Sequence, residues 1–166
     1  MSSLDRVLEE NRIAVADLIA VAERSAGHWT APRAPGKWSP AQVTEHVARA
    51  LDESAKLVAG EPNKFPRLPF FLRPLLRAFL FNRSLRLGGF PKARTSRPFD
   101  PASGPSDPAA ARDRLQAAAA GFDQACRSRV GEGPVRSATF GDVGLVDYVK
   151  FQEIHVRHHT KQIPGA

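Results

Sequence analysis

The stretch His155-Val156-Arg157-His158-His159-Thr160-Lys161-Gln162 lies near the C-terminal end of the chain. In a helix, His155 and His159 are four residues apart, so their imidazoles project from one face, one turn above the other. Two neutral ring nitrogens in this arrangement can share one divalent cation. The spacing therefore predicts two of the ligands of a metal site.

The surroundings of this histidine pair leave two interpretations open. The stripe that carries the pair also carries Tyr148, Val149, Gln152 and Ile163. This stripe should face the core, where two imidazoles without partners are costly and a metal ion would satisfy their nitrogens. The alternative is that both histidines simply interact with the negative end of the helix dipole.

A third histidine, His46, lies far upstream on a second predicted helix. This helix begins at a capping box, in which Ser39 is the N-cap, Pro40 the first helical residue and Gln42 the third. The apolar stripe on which His46 lies contains Val43, Val47, Ala50, Leu51 and Leu57. Polar residues on the core stripes of different helices tend to meet in a bundle, so we expect the three histidines to form one site.

Neighbours of the histidines are candidates for orienting them through hydrogen bonds. Glu45 is adjacent to His46, and Gln152 precedes His155 by almost one turn. His158 lies about a hundred degrees from the face of the histidine pair, so we expect it beside the site or at the surface. The sequence singles out no separate general base.

Four long helical patterns account for most of the chain, with no convincing alternating strand pattern between them. The patterns cover residues 4–27, 39–60, 106–130 and, from Asp142 or Gly144, the stretch up to Pro164-Gly165. We therefore predict an all-α fold, a four-helix bundle that forms a single domain over residues 1–166.

An insertion over residues 66–105 separates the second and third long helices. Residues 73–87 predict a short extra helix, with Pro74 at its first position and Gly88 as its stop. The apolar residues of the insertion include Phe70, Phe71, Leu72, Leu75, Leu76, Phe79, Leu80 and Phe81. Interleaved with arginines, they resemble an interfacial membrane helix. They cover more than one face, so the favoured interpretation is that they pack on the bundle or on a dimer mate.

The net charge of +7 is concentrated in this region, because no acidic residue lies between Glu61 and Asp100. The basic residues there are Lys64, Arg67, Arg73, Arg77, Arg83, Arg86, Lys92, Arg94 and Arg97. Four of them (Arg73, Arg77, Arg83 and Arg86) would attract an anionic substrate, although the favoured interpretation is the solvated face of a surface helix. The segment lacks a nucleic-acid-binding motif, so we expect no nucleic-acid partner.

Composition favours a cytoplasmic protein. Cys126 is the single cysteine, which excludes an internal disulfide framework, and it is expected to be buried. The acidic pair Glu9-Glu10 precedes any long apolar run, unlike in a signal peptide. No uncharged apolar stretch is long enough to cross a bilayer.

Two motifs together resemble the DinB-like superfamily of four-helix-bundle metalloproteins. They are Trp38-Ser39-Pro40 followed by Glu45-His46, and His155-x-x-His158-His159-x-x-Gln162. Phe140-Gly141 before the last helix is similar to an uncharacterised branch of that superfamily. The resemblance covers nearly the whole chain, except that the insertion exceeds the short linker usual in the family.

The resemblance implies that His46, His155 and His159 are the metal ligands, with water at the remaining positions. It implies zinc, nickel or another divalent ion, and a homodimer. Characterised members include thiol-dependent transferases that use bacillithiol or mycothiol, and a mycothiol-dependent maleylpyruvate isomerase.

The favoured hypothesis is a divalent-metal-dependent enzyme of thiol transfer or hydrolysis that acts on a small molecule, with an anionic thiol as the favoured substrate. Three neutral ligands leave the ion its full charge, which lowers the pKa of a bound thiol or water. One alternative is a non-catalytic binding module that the metal stabilises. Another is a protein that attaches to a membrane surface or a partner through its basic insertion.

Overall fold

The computed structural model of the chain describes residues 2–91 and 95–164. Lys92 and Arg94 of the basic run, and Gly165 of the predicted C-terminal stop, lie outside the described residues. The helices are α1 (Ser3–Arg24), α2 (Pro40–Ala59), α3 (Arg73–Leu76), α4 (Arg83–Leu87), α5 (Pro108–Ser128) and α6 (Leu145–Thr160). A π-helical turn, Arg77–Asn82, joins α3 to α4. The strands are β1 (Val135–Ser137) and β2 (Gly141–Val143). The predicted all-α fold is confirmed, with a small hairpin added to it.

The long helices α1, α2, α5 and α6 form the bundle. α2 packs along α5, and α1 packs along α6. The largest side chains in the core are almost completely buried: Leu8, Leu18, Leu51, Leu115, Phe122 and Tyr148. Burying one such apolar side chain stabilises the fold by about 1.5–3 kcal/mol. The site described below lies between two of the helices that this core holds in place.

The predicted capping box fixes the start of α2. The Ser39 hydroxyl accepts a hydrogen bond from the Gln42 backbone N–H at 3.3 Å, and the Gln42 side-chain oxygen accepts one from the Ser39 N–H at 3.0 Å. Pro40 is the first helical residue, as predicted. Gly60 ends the helix with a left-handed φ of 77°, which a residue without Cβ adopts at little cost. The predicted bounds of this helix are confirmed.

The end of α1 differs from the prediction. The helix stops at Arg24 instead of Gly27, which lies in a 3-10 turn, Ala26–His28. Ser25 is the C-cap, and its buried hydroxyl donates to the Val21 carbonyl at 2.9 Å. Carbonyl groups in the last turn of a helix lack backbone N–H donors from a following turn, and a serine hydroxyl can supply such a hydrogen bond.

The hairpin β1–β2 was not predicted from the sequence. Val135 pairs with Val143, and both are buried, while Arg136 pairs with Asp142. The alternation is that of a strand, but three residues are too few for the pattern to stand out. Asp142 therefore cannot start the last helix, and that alternative is wrong; Gly144 is the N-cap, as the other alternative predicted.

The insertion is attached to this hairpin by hydrogen bonds. The Leu68 N–H donates to the Ala138 carbonyl at 3.1 Å, and the Thr139 hydroxyl donates to the Pro66 carbonyl at 2.6 Å. The predicted extra helix is present over residues 73–87, although its central turn is π-helical and Pro74 is its second residue. Gly88 stops it with a φ of 63°.

The apolar residues of the insertion fall into two groups. Leu76, Leu80 and Phe81 pack against the bundle core. Phe70 and Phe79 are 78% and 63% exposed, so these two do not pack on the bundle, and packing on a dimer mate stays a prediction. Each helix within residues 2–91 and 95–164 falls short of the length or hydrophobicity that crossing a bilayer demands.

Candidate metal centre

Three imidazoles converge between α2 and α6. His46 comes from α2, and His155 and His159 come from successive turns of α6. Their candidate ligand nitrogens all lie within 4.8 Å of one another, and the Nε2 atoms of His46 and His155 are 3.2 Å apart. Two nitrogens about 2.0–2.1 Å from one tetrahedral zinc ion would be roughly 3.3–3.4 Å apart. The structure thus brings together the predicted histidines at a spacing that fits one shared ion.

Hydrogen bonds fix the orientation of two of the rings. Nδ1 of His46 lies 2.7 Å from the Phe99 carbonyl oxygen, which can only accept, so Nδ1 carries the proton. Nδ1 of His159 lies 3.1 Å from the side-chain oxygen of Gln162 and donates to it in the same way. The Nε2 lone pairs of both rings are then available for a metal ion.

Aromatic side chains form walls around the cluster. The Trp38 ring centre lies 4.7 Å from that of His46 and 5.9 Å from that of His159. On the other side, the Phe90 ring centre lies 5.4 Å from that of His155. These contacts restrict the rotation of the imidazoles and keep water away from their flat faces.

Burial also keeps the histidines neutral. It lowers the pKa of His46, and it lowers the pKa of His155 and His159 well below the ordinary value for histidine. The mutual repulsion of the three rings acts in the same direction on the pKa of His155. Neutral imidazoles are the form that binds metal, so the cluster needs no deprotonation at neutral pH.

The two residues predicted to orient the ligands lie in different places. Glu45 is not brought to the histidines: its carboxylate accepts from Arg49 at 2.7 Å and lies 3.7 Å from Arg114 of α5. The carboxylate is held by an arginine one turn along its own helix and, at a longer distance, by an arginine on the neighbouring helix. Gln152 is buried and lines the cavity next to the cluster. Among the described residues it forms no hydrogen bond with the three histidines.

The groups that orient the histidine rings were not assigned from the sequence. The Phe99 carbonyl is a main-chain atom in a loop, and no sequence pattern marks it. Gln162 carried a signal, since it lies three residues after His159, a spacing at which side chains meet in a helix, and the contact forms although α6 ends at Thr160. Its amide nitrogen also lies 3.1 Å from Nε2 of His158, which places His158 beside the site, as expected.

Cys126 and His28 take no part in the cluster. Cys126 is buried in α5, and burial raises the pKa of its thiol to about 12, so it is an unreactive core residue, as expected. His28 is exposed in the turn after α1.

A cavity of about 1160 Å³ opens on the histidines. The insertion and the segments beside it form much of its wall, through Phe65, Pro66, Leu76, Leu80, Phe90, Pro91, Thr95, Ser96 and Phe99. The basic residues of its lining are Arg33, Lys37 and Lys161. Arg73, Arg77, Arg83 and Arg86 are absent from the lining formed by the described residues, so the interpretation that these four attract a substrate into the site is not supported.

A helical bundle with three histidines on a large cavity fits a metal-associated protein. The profile of the DinB superfamily matches residues 4–163, and the chain therefore belongs to the DinB superfamily. Searches among curated proteins and among solved structures find no match to the chain.

Proposed function

We propose that the chain is a divalent-metal-dependent enzyme that transfers a thiol or hydrolyses its substrate at the three-histidine cluster. The observation that carries this proposal is the combination of three neutral imidazoles, two of them buried and that of His155 half-buried, with a cavity large enough for a small-molecule substrate. Membership of the DinB superfamily supports it.

His46, His155 and His159 would hold the ion through ring nitrogens. The donor set fits zinc or nickel, because imidazole nitrogen suits both and the rings contribute no negative charge. When bound, an ion with three neutral ligands lowers the pKa of a thiol or of water toward the neutral range.

The residues around the cluster supply binding and orientation. Trp38 and Phe90 hold the imidazoles in place and exclude water from their faces. The cavity lining combines apolar side chains with the hydrogen-bonding groups of Gln152 and Thr139. Lys161 and Arg33 offer positive charge at the cavity, which suits a substrate with an anionic group, such as a carboxylate-bearing thiol.

The first experiment tests metal binding. Protein purified without added metal, then dialysed against zinc or nickel, is assayed by elemental analysis and calorimetry. We expect one ion per chain, and we expect His155→Ala to abolish high-affinity binding. His28→Ala is the matched control, because this histidine is exposed and remote in sequence from the three ligands. Equal metal content in all three proteins would contradict the proposal.

The second experiment separates an enzyme from a metal-stabilised binding module. Protein loaded with cobalt(II) is titrated with small thiols that do or do not carry a carboxylate. We expect a saturable thiolate-to-cobalt absorption band, stronger at equal concentration for the carboxylate-bearing thiols. A metal-loaded protein whose spectrum does not respond to any thiol, and which hydrolyses no ester or amide in a substrate panel, would support the binding module instead.

A further inference from the structure

The insertion carries most of the exposed apolar surface of the protein. Six of the eight large apolar side chains that are exposed in the described part of the chain lie within residues 70–87. We call them the apolar patch: Phe70 (78% exposed), Phe71 (65%), Leu72 (39%), Leu75 (56%), Phe79 (63%) and Leu87 (60%). Isolated exposed apolar residues are ordinary, but a group of six on one short segment indicates a binding surface.

The geometry of the segment explains why the patch points away from the bundle. Leu72, Leu75 and Phe79 follow one another at spacings of three and four, so they share one face, and the Phe70 and Phe71 ring centres lie 5.7 Å apart just before it. The opposite face is held by Phe81, which is 1% exposed and whose ring centre lies 4.9 Å from that of Phe151. Inward rotation of the patch would expose this anchored face.

Hydrogen bonds outside the helix hold the segment in this orientation. The Arg77 guanidinium donates to the Asp142 carbonyl at 2.7 Å, and the Arg73 side chain donates to the Leu68 carbonyl at 3.0 Å. The patch is therefore presented on a fixed support.

The charge around the patch selects the kind of partner. Lys64, Arg67, Arg83 and Arg86 are exposed on the same segment. No acidic residue lies between Glu61 and Asp100, so nothing within the segment neutralises them. A second copy joined patch to patch would bring like charges together, which opposes association. An anionic lipid surface offers apolar chains to the aromatic residues and negative headgroups to the cations.

We propose that residues 64–87 form a docking surface for membranes that contain anionic lipid. Phe70, Phe71 and Phe79 enter the boundary between headgroups and acyl chains, while Arg83 and Arg86 reach the headgroups at its edge. Docking is peripheral and reversible, since it combines a modest apolar area with a few positive charges. The opposite side of the segment, through Leu76 and Leu80, lines the cavity, so the cavity wall lies about one helix diameter (roughly 10 Å) from the lipid.

Flotation with lipid vesicles tests the apolar contribution. Full-length protein is mixed with vesicles of equal parts phosphatidylglycerol and phosphatidylcholine, or of phosphatidylcholine alone. We expect association with the anionic vesicles only, and Phe71→Ser/Phe79→Ser should weaken it at least tenfold. The matched control is Ile13→Ser/Val130→Ser, which replaces two exposed apolar side chains outside the patch (47% and 65% exposed) and should leave association unchanged.

A second pair of variants tests the charge contribution. Arg83→Gln/Arg86→Gln should lower association with anionic vesicles by about 30-fold at low salt, from about 1 kcal/mol for each arginine near such a surface. Arg6→Gln/Arg24→Gln removes the same charge from exposed positions on α1 and should have little effect. Circular dichroism of all four variants verifies that each is folded. Raising the salt concentration should weaken association of the wild type and have less effect on Arg83→Gln/Arg86→Gln.

Three outcomes would overturn the proposal. The first is failure of the folded wild-type protein to associate with either vesicle. The second is equal association with both vesicle types, since the arginines would then play no part. The third is a dimer, seen by sedimentation velocity, that dissociates only in Phe71→Ser/Phe79→Ser, because the patch would then bind a second copy of the chain. His155→Ala should leave vesicle association intact, so this proposal and the proposed enzymatic function can fail separately.

Discussion

The bundle and the insertion use similar apolar residues in different ways. In the bundle, apolar residues recur at helical spacing on one stripe, and the facing helix buries them, as with Leu115 and Phe122 of α5. In the insertion, apolar residues lie on two faces of one short helix, and the bundle can bury only one of them. A hydrophobic pattern therefore predicts burial only where a second layer of structure lies opposite it.

The two regions also contribute differently to the candidate metal centre. The bundle supplies the three histidines, on helices held by the core. The insertion supplies a wall of the cavity, the Phe90 ring beside His155 and the Phe99 carbonyl that orients His46. The bundle thus places the nitrogens, and the insertion determines the tautomer of His46 and forms part of the wall around the cluster.

The largest expected effect is the loss of stability when a phenylalanine of the bundle, rather than one of the insertion, is replaced by alanine. Phe122→Ala should lower the free energy of unfolding by about 3–5 kcal/mol, because Phe122 is fully buried and its removal leaves a cavity. Phe79→Ala should change it by less than about 0.5 kcal/mol, because Phe79 is 63% exposed. Urea denaturation of both variants measures the difference. Equal losses would mean that the insertion is as tightly packed as the bundle.

A somewhat smaller effect is expected from metal binding. Zinc at a hundred times its dissociation constant should raise the free energy of unfolding by about 2.7 kcal/mol, because the cluster exists only in the folded state. The gain should vanish in His46→Ala, which removes the ligand that α2 contributes, and persist in Phe79→Ala. Denaturation with and without a chelator measures it. A gain that survives in His46→Ala would place the ion elsewhere.

The smallest of these effects is the pH dependence of the metal-free protein. Burial holds the pKa of His155 well below 6.5, so below about pH 6.5 the unfolded chain binds a proton that the folded chain does not. Stability from this group is therefore complete above pH 6.5 and is lost as the pH falls, by up to about 1.4 kcal/mol for each pH unit. His155→Gln should flatten this decline between pH 6.5 and 5. Parallel profiles for the two metal-free proteins would show that folding does not lower the pKa of His155.

Much of the bundle could be predicted because its signals are local. Ser39, Pro40 and Gln42 specify a helix start within four residues, and Gly60 specifies its end. The convergence of His46 with His155 and His159 followed from their positions on core-facing stripes. The hairpin escaped prediction because three-residue strands carry too little pattern.

The remaining features depend on contacts that are distant in the sequence. Glu45 pairs with Arg49 four residues further along its own helix, and its additional contact with Arg114 depends on how α2 meets α5. The Phe99 carbonyl reaches His46 only because the loop folds back across 53 residues. The exposed patch, likewise, depends on which face of the inserted helix Phe81 fixes to the bundle.

The hydrogen bond from His46 to the Phe99 carbonyl orients the imidazole through a main-chain atom. The orientation of His46 therefore does not depend on which side chain residue 99 carries. An acceptor on the main chain survives any substitution at its own position that leaves the backbone path unchanged. The sequence of the insertion can therefore change, so that the cavity admits other molecules or the apolar patch is lost, without reorienting the imidazole of His46. The one condition is that the backbone keeps its path at the Phe99 carbonyl, while the other residues of the insertion that line the cavity can be replaced.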